Sequence, residues 1–183
     1  WPSADTAPQV LGPGDRIEAE IRPGPDDTVL AVHPYSLYGG PTGLDPVADL
    51  VVRAPGATAR PEPLAWPFPD GTPSPDPGRT DLRFVLQGDS AADAWFINGE
   101  TFPDVTVPRL GLGQDVVVEV RNISPTEHPF HMHGHAYEVL SVDGVPVPER
   151  RIEETFNVRI RETLRLRFRT SRPGSWMTHC HIL

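Results

Sequence analysis

The sequence predicts an all-β protein. Several short runs alternate apolar and polar residues with a period of two, and runs with helical spacing are nearly absent. Glycine and proline are dense, 16 and 23 of 183 residues, and they cut the chain into segments of strand length.

Taken in order, Arg16 to Arg22 places an apolar residue at every second position, as a half-buried strand does. Thr28 to His33 reads as the next strand, stopped by Pro34. His33 stands apart from the other histidines and reads as a strand-end residue. Eight prolines then fall between positions 55 and 77. Proline lacks a backbone donor, so no central strand runs there. This stretch reads as an extended connector, docked through Leu64, Trp66 and Phe68 or left as a disordered spacer. Strands resume with Leu82–Leu86 and with Ala94–Ile97, which enters an Asn98-Gly99 turn. Leu110–Arg121 contains another strand with its lead-in, and Val139–Val142 is closed by Asp143-Gly144. Leu164–Arg169 alternates cleanly, with its arginines outward.

Residues 11–22 resemble residues 110–121, each a glycine-flanked turn feeding an alternating strand. The repeat implies two copies of one β-domain. Residues 1–54 would be the closing part of a preceding copy, 55–80 a proline-rich linker, and 81–183 a second copy.

A formal net charge of −9 argues against a nucleic-acid partner. No run approaches the length of a membrane span, and the first residues lack the pattern of a secretion signal. One cysteine excludes an internal disulfide.

Six of the seven histidines sit in two stretches, His128-Pro129-Phe130-His131-Met132-His133-Gly134-His135 and His179-Cys180-His181. On adjacent strands, His131, His133, His179 and His181 would share one face, with His128 and Cys180 on the other. A bulge at Pro129 would upset that parity. A thiolate with imidazoles and a weak axial ligand is a blue-copper pattern. Four imidazoles exceed what one catalytic zinc needs and suit a group of coppers. Structurally packed histidines and zinc are the competing readings. In the copper reading, an electron taken from a substrate at the thiolate face passes along residues 179–181 to the imidazole face. Dioxygen would be reduced there.

These motifs closely resemble the two C-terminal copper motifs of the multicopper oxidases, the family of laccases and related enzymes. The resemblance implies a cupredoxin-like Greek-key β-sandwich, preceded by the closing strands of a second cupredoxin domain. It implies that His128 and Cys180 bind type 1 copper, that His131 binds type 2, and that His133, His179 and His181 bind the type 3 pair. Cys180, His179 and His181 would form the electron path. His135 would support the site without binding copper, and Met132 would be packing. The implied activity is one-electron oxidation of a phenolic, aromatic amine or metal-ion substrate, coupled to reduction of dioxygen to water. The resemblance also implies a periplasmic or extracellular location.

The pattern departs from the family in three places. A second type 1 histidine and an axial residue would follow His181, but only Ile182 and Leu183 do. The acidic residue often found after this strand is missing. No His-x-His pair precedes residue 128. The expectation is therefore a fragment, or a truncated inactive product, that needs a missing cupredoxin domain or a neighbouring chain to complete its copper cluster. The rival readings are a copper-free cupredoxin scaffold and a two-domain copper oxidase. Histidine on both sides of Cys180 weighs against nitrite reduction. Glu127, beside a candidate ligand, reads as a solvated strand-end charge or as a residue facing substrate.

Overall fold

Short alternating segments between glycine and proline breaks fold here into strands. A computed structural model describes residues 10–15, 28–52, 71–89 and 91–181. Among them are eleven β-strands and no helix. They divide into two compact units, one made of residues 28–52 and the other of residues 10–15 with 71–181.

In the smaller unit, β1 (Thr28–Val32) pairs antiparallel with β2 (Ala48–Val52), with Leu30 opposite Leu50. Val29, Leu30, Val32, Leu50 and Val51 are all exposed, so both faces of this ribbon are apolar and bare. His33 is exposed, with Nδ1 3.4 Å from the Leu44 carbonyl oxygen.

The larger unit is a sandwich of two sheets. Six strands lie in the order β4 (Ala94–Ile97), β3 (Leu82–Asp89), β5 (Asp115–Asn122), β10 (Thr163–Arg169), β7 (Tyr137–Val142) and β8 (Val145–Glu153). Only β3 and β5 pair in parallel. The second sheet has the order β11 (Thr178–Cys180), β6 (His128–Met132) and β9 (Thr155–Val158).

Alternation decides what fills the space between the sheets. Leu164, Leu166 and Phe168 of β10 point inward while Arg165 and Arg167 stay partly exposed. They join Val116, Val118 and Val120 of β5 and Tyr137 and Val139 of β7. From the facing sheet come Phe130, Phe156 and Val158, and Cys180 packs against the same cluster.

The strands expected near residues 28, 82, 94, 110, 139 and 164 are present. The Asn98-Gly99 and Asp143-Gly144 turns have positive φ at both residues, as tight hairpin turns require. Strands β2, β8 and β9 were not anticipated. β8 holds Pro146 and Pro148, which argue against a central strand, but β8 lies at the sheet edge, where missing donors are tolerated. β9 has four residues, three of them buried, and is too short for its polar–apolar alternation to stand out. The expected strand at 16–22 and the residues Leu64, Trp66 and Phe68 lie outside the described residues. Residues 71–80 dock on the sandwich. Ser74 N–H and Oγ–H donate to Glu138, and Arg165 grips Asp76 through two nitrogens.

The turns of the internal repeat are built alike. Gly12 N–H donates to Asp15 Oδ2 at 2.9 Å, and Gly111 N–H donates to Gln114 Oε1 at 2.8 Å. Gly14 and Gly113 hold the matching left-handed positions, with φ of 84° and 78°. Residues 10–15 belong to the larger unit. A Cβ on Gly12 would meet Pro129, and Thr155 Oγ1–H donates to Gly14 O at 3.3 Å.

Candidate metal centre

The two histidine-rich stretches become neighbouring strands. β11 pairs antiparallel with β6, placing His179 opposite His131 and Cys180 opposite Phe130. Backbone hydrogen bonds extend the pairing at both ends, from His181 N–H to Pro129 O and from His133 N–H to Met177 O. The β6–β9 register runs unbroken from His128 through Pro129 to His131, so no bulge disturbs the parity. Opposed residues share a face.

On the core-facing side, His128 Nδ1 lies 3.2 Å from Cys180 Sγ. Burial pushes the His128 imidazole down to about 4 and the Cys180 thiol up to about 12. Without a cation both groups are therefore neutral near pH 7. A bound metal ion supplies the charge that favours the thiolate. The Trp95 ring stands edge-on to His128, with centroids 5.5 Å apart.

The opposite side gathers four imidazoles. Ring centroids are 4.6 Å apart for His131 and His133, 4.9 Å for His131 and His181, and 5.0 Å for His179 and His181. His133 Nε2 and His179 Nε2 approach to 3.0 Å. His133 is harder to protonate than usual, first through burial and then through His131 and His179. His131 Nδ1 faces the Glu154 carbonyl oxygen at 2.7 Å, and His179 Nδ1 faces the Cys180 carbonyl oxygen at 2.9 Å. Carbonyls only accept, so both rings carry hydrogen on Nδ1 and offer the Nε2 lone pair.

The donor set suits copper-type chemistry. A four-coordinate ion with imidazole and thiolate bonds of about 2.0 and 2.3 Å holds its donors about 3.3–3.5 Å apart. The 3.2 Å and 3.0 Å pairs lie close to that spacing. Among the described residues no three His, Cys, Asp or Glu side chains converge as a complete ligand set, and the donors meet in pairs.

Met132 is buried in the core. His135 packs on Phe168, with centroids 5.1 Å apart. Glu127 corrects the expectation of a solvated strand-end charge. It is 2% exposed, and Asn157 Nδ2–H donates to it at 2.6 Å.

Two groups beside the histidines were not singled out from sequence. Asp15 feels the charges of Arg151 and His181, and its carboxyl is raised by burial despite the Gly12 N–H bond. Asn122, Ser124 and Thr126 are buried around His128. Their every-second-residue spacing up to His128 was the available signal.

The multicopper oxidase family profile matches residues 74–183, more than half of the chain. The chain belongs to the multicopper oxidase family. It is similar to multicopper oxidase MmcO of Mycobacterium tuberculosis, 32% identical over 101 residues, covering 55% of this chain and 19% of that protein. Laccase-2 of Pleurotus ostreatus is 27% identical over 173 residues, covering 79% of this chain and 32% of the laccase. The crystal structure of a multicopper oxidase from Pediococcus acidilactici superposes with a TM-score of 0.54 at 28% identity, covering 69% of this chain and 27% of that one. The chain thus spans under a third of the length of the curated relatives it matches. The all-β sandwich is the cupredoxin fold of this family. Multicopper oxidases are oxidoreductases, and the family implies copper.

Proposed function

We propose that this chain is the C-terminal part of an oxidase whose type 1 copper takes single electrons from a reducing substrate and whose trinuclear copper cluster reduces dioxygen to water. His128 and Cys180 would hold the type 1 copper, His131 the type 2, and His133, His179 and His181 the type 3 pair. A phenol, an aromatic amine or a metal ion is the substrate class. Residues 1–54 would be the end of a preceding cupredoxin domain, with residues 10–15 packed on the larger unit, residues 55–80 a linker whose residues 71–80 dock on that unit, and 81–183 the last cupredoxin domain.

One observation carries this reading. A single strand pair presents a thiol–imidazole pair at 3.2 Å on one face and a cluster of four imidazoles on the other. Cys180 belongs to the first face and its two neighbours to the second, so two peptide bonds join them. His128 is buried and Cys180 is half-buried against the core. The Glu154 and Cys180 carbonyls hold His131 and His179 with Nε2 free.

The pairing of donors supports completion by residues outside this stretch, from a missing cupredoxin domain or a neighbouring chain. A periplasmic or extracellular location rests on the family. No helix among the described residues is long and apolar enough to cross a membrane. Cell fractionation tests the location, and recovery of the protein in the cytosol alone would contradict it.

Oxygen uptake by the full-length protein, with a phenolic or metal-ion donor, tests the function. Uptake that is lost on copper chelation and restored by copper supports it. Copper-free purified protein that binds none on reconstitution would instead favour the scaffold reading.

A further inference from the structure

The loop from β5 to β6 carries Asn122, Ser124 and Thr126 ahead of His128, and all four side chains are buried. Asn122 Nδ2 donates to the carbonyl oxygens of Thr126 at 2.7 Å, Val158 at 3.1 Å and Arg159 at 3.1 Å. Three acceptors around one amide nitrogen fix which way the amide points. Its Oδ1 faces the Ser124 backbone N–H at 2.9 Å.

Ser124 Oγ accepts from the Thr126 N–H at 3.3 Å and has three further close neighbours. Asn122 Oδ1 lies at 2.8 Å and Thr126 O at 3.0 Å, and both only accept. His128 Nε2 lies at 2.6 Å. The hydroxyl has one hydrogen. Pointed at His128, it would leave two buried oxygen–oxygen contacts with no hydrogen between them. Pointed at either oxygen, it leaves one such contact, and the 2.6 Å contact is bridged by a hydrogen on His128 Nε2. The second arrangement has the lower cost. The Nδ1 lone pair of His128 then faces Cys180 Sγ at 3.2 Å.

We propose that Asn122 and Ser124 are positioning residues that lock His128 in its Nε2–H tautomer and so preset Nδ1 as a metal donor beside Cys180. The control starts at Asn122, whose amide is anchored to the carbonyls at the end of β9. The packing of β5 against β9 is thereby transmitted to the imidazole. A ligating imidazole held at its second nitrogen keeps its orientation and gains basicity. The proposal rests on the reading of His128 and Cys180 as copper ligands.

Two measurements on the full-length protein test it. The first is a long-range proton–nitrogen correlation spectrum of the metal-free, nitrogen-15 histidine-labelled protein. His128 is expected to carry hydrogen on Nε2 and none on Nδ1. The second is copper affinity and reduction potential at the thiolate site. Ser124→Ala is expected to weaken copper there about 10–100-fold and to shift the potential, with copper at the imidazole face retained. Ser124→Thr keeps the hydroxyl and is expected to restore both. An Nδ1–H tautomer, or an Ala variant with unchanged affinity and potential, overturns the proposal. An Nδ1–H tautomer with thiolate–copper absorption intact overturns it alone. An Nε2–H tautomer with no such absorption in the wild type overturns the copper reading instead.

Discussion

His128 Nδ1 and Cys180 Sγ lie 3.2 Å apart across 52 residues of sequence. The contact forms because β6 and β11 are neighbours in register and both residues fall on the core side of the pair. The same register forces His131 and His179 onto the other side. One pairing therefore builds two faces of different chemistry.

The faces separate by mutation. His179→Ala removes the Nε2 that meets His133 at 3.0 Å and leaves Cys180 in place. Oxygen consumption by the full-length protein is expected to fall to background while thiolate–copper absorption persists. Loss of both signals together would contradict the division of roles.

Phe130 is fully buried, opposite Cys180 in the strand pair, with its ring 5.6 Å from that of Phe84. Phe130→Ala removes a large ring from between the two sheets. A loss of about 3–5 kcal/mol is expected in denaturant unfolding. A loss under about 1 kcal/mol would mean that the sheets do not pack as described.

Gly134 has φ of +81°, and a Cβ there would fall 2.4 Å from the Trp176 ring. Gly134→Ala is expected to cost about 1–2 kcal/mol from the left-handed backbone and to displace Trp176. Melting temperature and tryptophan emission are the readouts, and an unchanged emission spectrum would contradict the contact.

Asp76 is held by Arg165 through two nitrogens, and this bond, chiefly, lowers its carboxyl below the ordinary value of 3.8. Because the folded-state value is depressed, the stabilisation is present above the unfolded value. It is lost as pH falls through the folded value. Asp76→Asn is expected to cost about 1–2 kcal/mol at neutral pH, with the difference shrinking as pH falls through the lowered folded-state value. Acid unfolding curves check this, and a difference that grows toward low pH would contradict it.

Much of this site was legible because strand parity is local. The spacing His131-x-His133 and His179-Cys180-His181 fixes which side chains share a face once the strands are paired, and no bulge at Pro129 interferes. β8 was not anticipated, and the effect of its prolines depends on whether a strand is central or at an edge, which a local pattern does not carry. Glu127 was misread for a similar reason. The Asn157 amide that binds it lies 30 residues away. The Asn122 anchor was hidden in the same way, since its acceptors at Val158 and Arg159 come from another strand end.

The most direct test of the copper reading is visible absorption of the copper-loaded full-length protein, compared with its Cys180→Ser variant. The account predicts an intense thiolate–copper band in the wild type. It also predicts loss of that band and of one copper in the variant, with copper at the imidazole face kept. A copper-replete wild type without the band, or a variant that retains it, would contradict the assignment of Cys180 as a copper ligand.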